Sequence, residues 1–524
     1  MLQVDPRDRE KLIDPLYQAG WKFWSLISTL LVVIDWGVFM YIQQVQLGLG
    51  ETGMQRPAYW GTYMVNFIFF IGISHAGTLI SAILRVTGAD WRRPITRIAE
   101  AITAFALIVG TLQIIIDMGR PDRLLYVILH GRLQSPILWD VISVTAYFLG
   151  SITYLYLPLI PDAAILRDNL PANAPAWRSL LYRTLAVGWR GNREQWLRLE
   201  KAIAVMAVFI IPVAVSVHTI ISWILATTVQ PGWHSTIFGP YFVVGAIFSG
   251  IAALFLAMTA MRRVQGLENY ITLRQYRNLG LLFVTMNAIW AYFTVAENLT
   301  LAAGQQTLEF PVLASKLWGS HSVTFWVMIF LMVVAFWVMV VPQLIPASAQ
   351  KYPVFRPRYA LGSAATAALL IFVLADYRIT PVSATLFESP DVQTIGWIIA
   401  ILLLLGAGLG WSVWLKGRSH PTVLVIASGA VLVGMWLERW NIIVPTLTHP
   451  RLIPYGVYFP TLTEIALTAG SVALFILMFA VFFKLFPAVS LWEIAEGRVI
   501  AAAQEQVHIP EPEPSTGEAM ERSF

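Results

Sequence analysis

Nine ionisable residues stand out within stretches of otherwise apolar sequence: Asp35, His75, Asp117, Asp140, His218, Glu297, Glu438, Arg439 and Glu464. A charge in hydrocarbon costs several kcal/mol, so such residues are the first candidates for function. His75 lies in VNFIFFIGISHAGTLISAILR, about thirteen residues from one end of its stretch, or about 20 Å deep at about 1.5 Å per residue. His218, in IPVAVSVHTIISWIL, lies about ten residues from the same side, or about 15 Å deep. Asp117 closes the third apolar stretch on that side, and Asp140 sits one turn into the fourth. Tyr147 follows Asp140 by seven residues and shares its helix face. Three chemistries fit this set. Quinol oxidation would use the imidazole as proton acceptor and a carboxylate to shuttle protons outward. A b-type haem would need the two histidines facing each other at one depth. Ion-coupled transport would use the same acids as a proton relay.

The remaining members read differently. A single mid-span histidine also fits a hydrogen-bonded helix contact. Asp117 also fits a helix cap or a partner for Arg120. Asp35 is isolated and reads as structural. Glu438 and Arg439 are adjacent, so they point to different sides of a helix and are expected to pair with other spans. Glu297 and Glu464 fit equally as those partners or as proton-relay members.

The elements that position these residues follow from composition. The chain has 524 residues, 57% hydrophobic and only 12% charged, with mean hydropathy +0.67. A soluble domain carries about 25% charged residues, so an ordinary soluble enzyme is excluded. The net charge of +5 and the isoelectric point near 9.3 indicate basic loops at an anionic lipid surface, not a nucleic-acid partner. The 21 tryptophans suit two membrane interfaces. With no cysteine, the chain holds no thiolate-ligated iron–sulfur cluster, c-type haem, disulfide or catalytic thiol. Redox work would need a diffusible cofactor, a His-ligated metal or a partner subunit. No P-loop or dinucleotide fingerprint occurs. The N-terminal MLQVDPRDREKLIDPLYQAG is too polar for a secretory signal.

Twelve segments are long and apolar enough to span: 21–45, 62–86, 95–117, 136–158, 201–228, 238–262, 277–303, 320–345, 359–376, 394–415, 421–445 and 461–486. The pair 359–376 and 394–415 is weaker, and without it ten remain. The odd-numbered gaps carry seven Lys and Arg residues, whereas the N-terminus, the alternate gaps and the C-terminus carry 27. This bias predicts both termini in the cytoplasm. Residues 159–200 read as a cytoplasmic loop with an interfacial helix or docking surface, and 487–524 as a cytoplasmic tail ending in a disordered or partner-bound stretch.

Several stretches together carry a family likeness. SHAGTLISAILRVTGADWRRPITRIAE, DMGRPDR and SPILWDVISVTAYF, in that order, resemble the NrfD/PsrC-like integral membrane subunits of the polysulfide reductase type. WLERWNIIVPTL, FPTLTEIAL and FKLFP are similar to the closing helices of that family, and the long form resembles the ActC subunits of alternative complex III most. The likeness covers about residues 20–350 and 420–490.

The resemblance implies an all-α polytopic membrane protein of about 10–12 spans, with two side-by-side four-helix bundles plus peripheral helices. Residues 1–20 would be a cytoplasmic segment and 21–61 a peripheral span. The first bundle would be 62–228 and would hold a quinol site near the periplasmic side. The second would be 238–345 with 421–445, followed by a C-terminal span at 461–486, and 346–420 would be an inserted pair of weak spans. His75 would bind a quinol hydroxyl and Asp140 would accept its proton. Asp117 and Arg120 would sit at the mouth, and Tyr147 and His218 would line the site. Glu297, Glu438, Arg439 and Glu464 resemble a proton path. Menaquinone is the expected substrate by family habit, with no haem in this subunit. The implied partners are a periplasmic iron–sulfur subunit, a multihaem cytochrome c, a second NrfD-like membrane subunit and other small membrane subunits of a respiratory or photosynthetic complex. The readings kept beside this one are a structural anchor without quinone chemistry and a proton-coupled transporter.

Overall fold

The computed structural model describes residues 5–171, 174–344 and 421–498. Within them, ten helices are long and apolar enough to cross a membrane. They are α1 Trp21–Leu47, α2 Thr62–Val86, α3 Arg93–Asp117, α4 Pro136–Asp168, α5 Arg193–Ala226, α6 Phe238–Val264, α7 Leu273–Gly304, α8 Ser322–Leu344, α9 Pro421–Thr448 and α10 Leu462–Leu485. The expected spans 359–376 and 394–415, and residues 499–524, lie outside the described residues.

The helices pack in two groups. α2, α3, α4 and α5 contact one another as one group, and α6, α7, α8 and α9 as another. The groups meet where α6 lies against α2 and α5, and where α9 lies against α2. α10 packs on α1 and on the α2–α3 flank. Small residues let backbones approach at these seams. A Cβ on Gly37 would stand 3.2 Å from the Ala466 carbonyl oxygen. One on Gly250 of α6 would stand 2.7 Å from the Ala76 nitrogen of α2.

Two expectations change. The loop 159–200 is shorter than expected, because α4 continues through Pro158 and Pro161 to Asp168 and α5 begins at Arg193. Between them Ala176–Leu185 forms a short helix. The tail does not start at 487: Ala488, Val489, Leu491 and Trp492 are buried, and 491–498 is helical. Charges hold this segment to the basic end of the bundles. Glu493 pairs with Arg85 at 2.6 Å and Arg92 at 3.5 Å, and Arg498 pairs with Asp8 at 2.7 Å. Where α4 runs on past Pro158, the Pro158 carbonyl accepts from Arg97 at 3.3 Å and from the Trp492 indole at 3.0 Å, which ties this end of α4 to α3 and to the C-terminal segment.

Candidate functional site

The site begins with a break in α2. The helix is regular over Thr62–Ile73, turns at Ser74, makes one turn at His75–Gly77 and widens into a π-helical turn over Thr78–Ile83. Such π-turns are rare and recur at functional sites. The break frees backbone groups that must find partners in the membrane. Thr103 of α3 supplies them: its hydroxyl donates to the Ser74 carbonyl at 2.5 Å and accepts from the Gly77 N–H at 2.8 Å. Tyr147 of α4 donates to the same carbonyl at 3.1 Å, and the Thr78 hydroxyl lies 2.8 Å from the Tyr147 oxygen. Gly77 is required here, since a Cβ would stand 2.7 Å from the Ala99 carbonyl oxygen.

The break carries His75 into contact with His218 of α5. The two rings meet edge to face with centroids 4.2 Å apart, and both are buried. Tyr147 flanks His75 at 5.4 Å between ring centroids. His75 Nδ1 lies 3.1 Å from the Ile71 carbonyl oxygen and Nε2 lies 2.9 Å from the Ala214 carbonyl oxygen. A neutral imidazole donates from one nitrogen only, so His75 donates to one of these carbonyls when neutral and to both only with two protons; the Ile71 carbonyl also accepts from the Ser74 hydroxyl at 2.6 Å. His218 has the opposite condition: neither ring nitrogen has a hydrogen-bond partner. The pair therefore joins an imidazole with both nitrogens against carbonyl oxygens to one with two free nitrogens. An iron between two imidazoles stands about 2 Å from each nitrogen, which rings in direct contact do not admit.

The carboxylates sit apart from this pair. Asp140 lies on the first turns of α4, half-buried, about 10 Å along the helix from Tyr147. Asp117 ends α3 and is also half-buried. Each has an unpartnered Oδ1. Arg120 does not pair with Asp117. It is exposed and grips Asp122 through two hydrogen bonds of 3.0 Å, which holds the Asp122 carboxyl below its usual range. Among the described residues, no hydrogen bond or ion pair joins Asp117, Arg120 or Asp140 to the imidazoles.

In the second bundle the expectation for Glu438 and Arg439 is corrected in part. Glu438 does reach another span, accepting from the Trp290 indole at 2.9 Å, but its carboxylate also lies against the guanidinium of Arg439 itself. The reason is space. The Arg439 guanidinium fills the gap between two glycines, 3.0 Å from where a Gly245 Cβ would be and 3.6 Å from where a Gly72 Cβ would be. It therefore turns back to its neighbour and toward the first bundle, one turn from His75. Glu297 accepts from the Ser235 hydroxyl at 2.5 Å. Glu464 is fully engaged at the start of α10, where it accepts from the Gly53 N–H at 2.8 Å, the Thr461 N–H at 3.0 Å and the Tyr458 hydroxyl. Asp35 is exposed on α1.

Sequence reasoning missed a buried polar group below the break. Glu100 accepts from Ser81 at 2.5 Å, and Arg97 pairs with Asp162 at 2.5 Å. The available signal was Arg97 and Glu100 three residues apart inside an apolar stretch. Asp162 was hidden in a segment read as loop.

Ten apolar helices around a buried imidazole pair define an integral multi-pass membrane protein with a polar centre inside its first bundle. The chain belongs to the polysulphide reductase NrfD family, whose pattern matches residues 50–352. Three curated relatives are similar over part of their length. A Halobacterium salinarum protein assigned as a membrane component of a dimethyl sulfoxide reductase is 31% identical over 44% of this chain and 50% of its own. A component of the selenate reductase of Mesobacillus selenatarsenatis is 23% identical over 44% and 54% respectively. The Hdr-like menaquinol oxidoreductase integral membrane subunit of Archaeoglobus fulgidus is 23% identical over 53% and 60%. The chain thus spans about half the length of the curated relatives it matches.

Proposed function

We propose that this chain is the quinol-oxidising membrane subunit of a multi-subunit electron-transfer complex of the alternative complex III type. The observation that carries this reading is the His75–His218 pair, buried at a helix break with both His218 nitrogens free. His218 accepts the proton of one quinol hydroxyl through a free ring nitrogen, while His75 beside it is fixed by the Ile71 and Ala214 carbonyls. Tyr147 and Thr103 fix the backbone that aims His75. The unpartnered Oδ1 of Asp140 accepts the second proton, with Asp117 beside the exit. Oxidation of one quinol releases two protons and two electrons. The chain has no cysteine, and the electrons leave to an iron–sulfur subunit and then a multihaem cytochrome c on the periplasmic side. Glu297, Glu438 and Arg439 form the proton path of the second bundle, whereas Glu464 is structural. The menaquinol oxidoreductase relative supports menaquinol as the substrate. The protein works in a bacterial inner membrane with both termini in the cytoplasm.

The test is quinol oxidation by the intact complex carrying His218→Gln or His75→Gln. The expected result is a loss of about 10²-fold or more in turnover, the scale of one general base, with assembly and bound cytochrome unchanged. Wild-type turnover in both variants overturns the assignment and leaves the anchor reading.

A further inference from the structure

A second polar centre lies at the end of the second bundle distant from the basic face. The loop between α7 and α8 folds into a short helix, Phe310–Leu317, which packs on α7, α8 and α9. Its Lys316 reaches a cavity that offers about 30 Å³ to water, room for one or two molecules. Glu297, Glu438, Tyr241, Asn298 and Asn441 line the same cavity. Lys316 makes no hydrogen bond or ion pair among the described residues, the buried Oδ1 of Asn298 has no hydrogen-bond partner, and the Glu438 carboxylate lies against the Arg439 guanidinium. An ammonium and two carboxylates therefore share a water-sized space without locking to one another.

We propose that Lys316 is a proton-exchange residue at the mouth of the second bundle, taking a proton from Glu297 across the cavity and releasing it to water at the α7–α8 loop. The transfer is a proton exchange only. The Glu297 carboxylic acid gives its proton to the Lys316 amine, leaving a carboxylate and an ammonium, and the ammonium then gives that proton to solvent. Geometry supports the direction. Trp318, two residues on, and Ser320 beside it are exposed, so the short helix that carries Lys316 ends at the surface. Inward, Glu438 touches Arg439, whose guanidinium reaches Gly72 one turn from His75. The groups facing Lys316 are Glu297 from α7, Glu438 from α9, Tyr241 from α6 and His321 at the start of α8. α8 itself carries no titratable residue. Glu309, just before the short helix, is occupied by His234 at 2.9 Å and Arg451 at 3.8 Å. Burial pushes the Lys316 amine down to about 8, against the opposing pull of the Glu297 carboxylate, so both protonation states are populated near neutral pH. The coupling of this exchange to quinol oxidation rests on the function proposed above, but the titration of Lys316 does not.

Two measurements separate the two. Membranes holding the full chain are labelled with acetic anhydride across pH 6 to 11, and acetylation of Lys316 is read by mass spectrometry. The expected midpoint lies near pH 8, and Glu297→Gln moves it lower, because the carboxylate favours the ammonium. A midpoint near the ordinary lysine value of about 10.4, or one indifferent to Glu297→Gln, overturns the proposal. In vesicles holding the intact complex, Lys316→Arg and Lys316→Met slow quinol-driven proton release at least tenfold while uncoupled quinol oxidation stays within twofold. Arg keeps the charge but does not release its proton, so its failure with Met identifies exchange, not charge, as the requirement. Wild-type proton release in Lys316→Arg overturns the proposal. Absence of quinol oxidation in the unmutated complex overturns the earlier reading and leaves the labelling result standing.

Discussion

The break in α2 predicts a non-additive pair of substitutions. Thr103→Val keeps the shape of the side chain and removes its hydroxyl. The Gly77 N–H then loses its acceptor across the break, and a buried donor left unpaired costs about 1–3 kcal/mol. The Ser74 carbonyl is not orphaned, because Tyr147 still donates to it at 3.1 Å. Tyr147→Phe alone leaves that carbonyl on Thr103 at 2.5 Å and costs about 1 kcal/mol, the net value of one hydrogen bond. In the double variant the carbonyl loses both donors inside the membrane, a cost that neither single variant incurs. The double therefore exceeds the sum by about 1–2 kcal/mol, within the range seen for residues sharing a partner. The assay is a double-mutant cycle on the purified protein, read as unfolding midpoints in a detergent titration and as quinol-oxidation rates on the same samples. Simple additivity in stability would show that Ser74 is not the shared acceptor and would refute the account of how His75 is positioned.

Asp162→Ala leaves Arg97 buried without its charge partner, and the unfolding free energy should fall by about 3–5 kcal/mol. Replacing both residues together with apolar ones should recover most of that loss in the same titration. Gly250→Ala places a methyl 2.7 Å from the Ala76 nitrogen, so a cost of about 1–3 kcal/mol and slower quinol oxidation are expected. Gly429→Ala, with nothing within 4 Å, should be neutral or stabilising in the same assays. The His321 imidazole, at the head of α8, is pushed down to about 4 by burial, with His449 and Lys316 adding repulsion. Its unfolded value is about 6.5, so between about pH 4 and 6.5 the unfolded chain binds the extra proton and stability rises with pH. His321→Gln should flatten that slope, and an unchanged slope in stability measured from pH 4 to 7 counts against the assignment.

Most of the helix layout was legible because membrane hydrocarbon imposes a length and a composition on every span. Eight of the ten described spans begin and end within a few residues of their hydropathy limits, but α4 runs on to Asp168 and α5 starts early at Arg193. Hydropathy read Pro158 and Pro161 as an end, whereas Arg97 of α3 and the 491–498 segment pair with Pro158 and Asp162 beyond them. The histidines were legible as rare polar residues at similar depth. Their ranking was not: His75 is the sequence-marked member, yet His218 has the free nitrogens, and only the break in α2 and the Ala214 carbonyl decide that. Arg439 was read as reaching outward because adjacency usually separates side chains. Two glycines on other helices open a space that turns it back. Lys316 was counted as a loop charge, since nothing in its sequence reveals that the loop folds inward.

The seam between α1 and α10 has a consequence for how the protein is made. α10 supplies Thr468 to Asn66 of α2 at 2.8 Å, Ser471 to Gln113 of α3 at 2.7 Å and Glu464 to the Gly53 N–H at 2.8 Å. α1 reaches its own glycine-to-glycine seat only against α10. On the ribosome, α1, α2 and α3 emerge hundreds of residues before that partner exists. The nascent chain must therefore hold the Asn66 and Gln113 amides in lipid without their α10 partners through most of translation. A chain stopped before α10 would present those amides to membrane quality control as the mark of an unfinished protein.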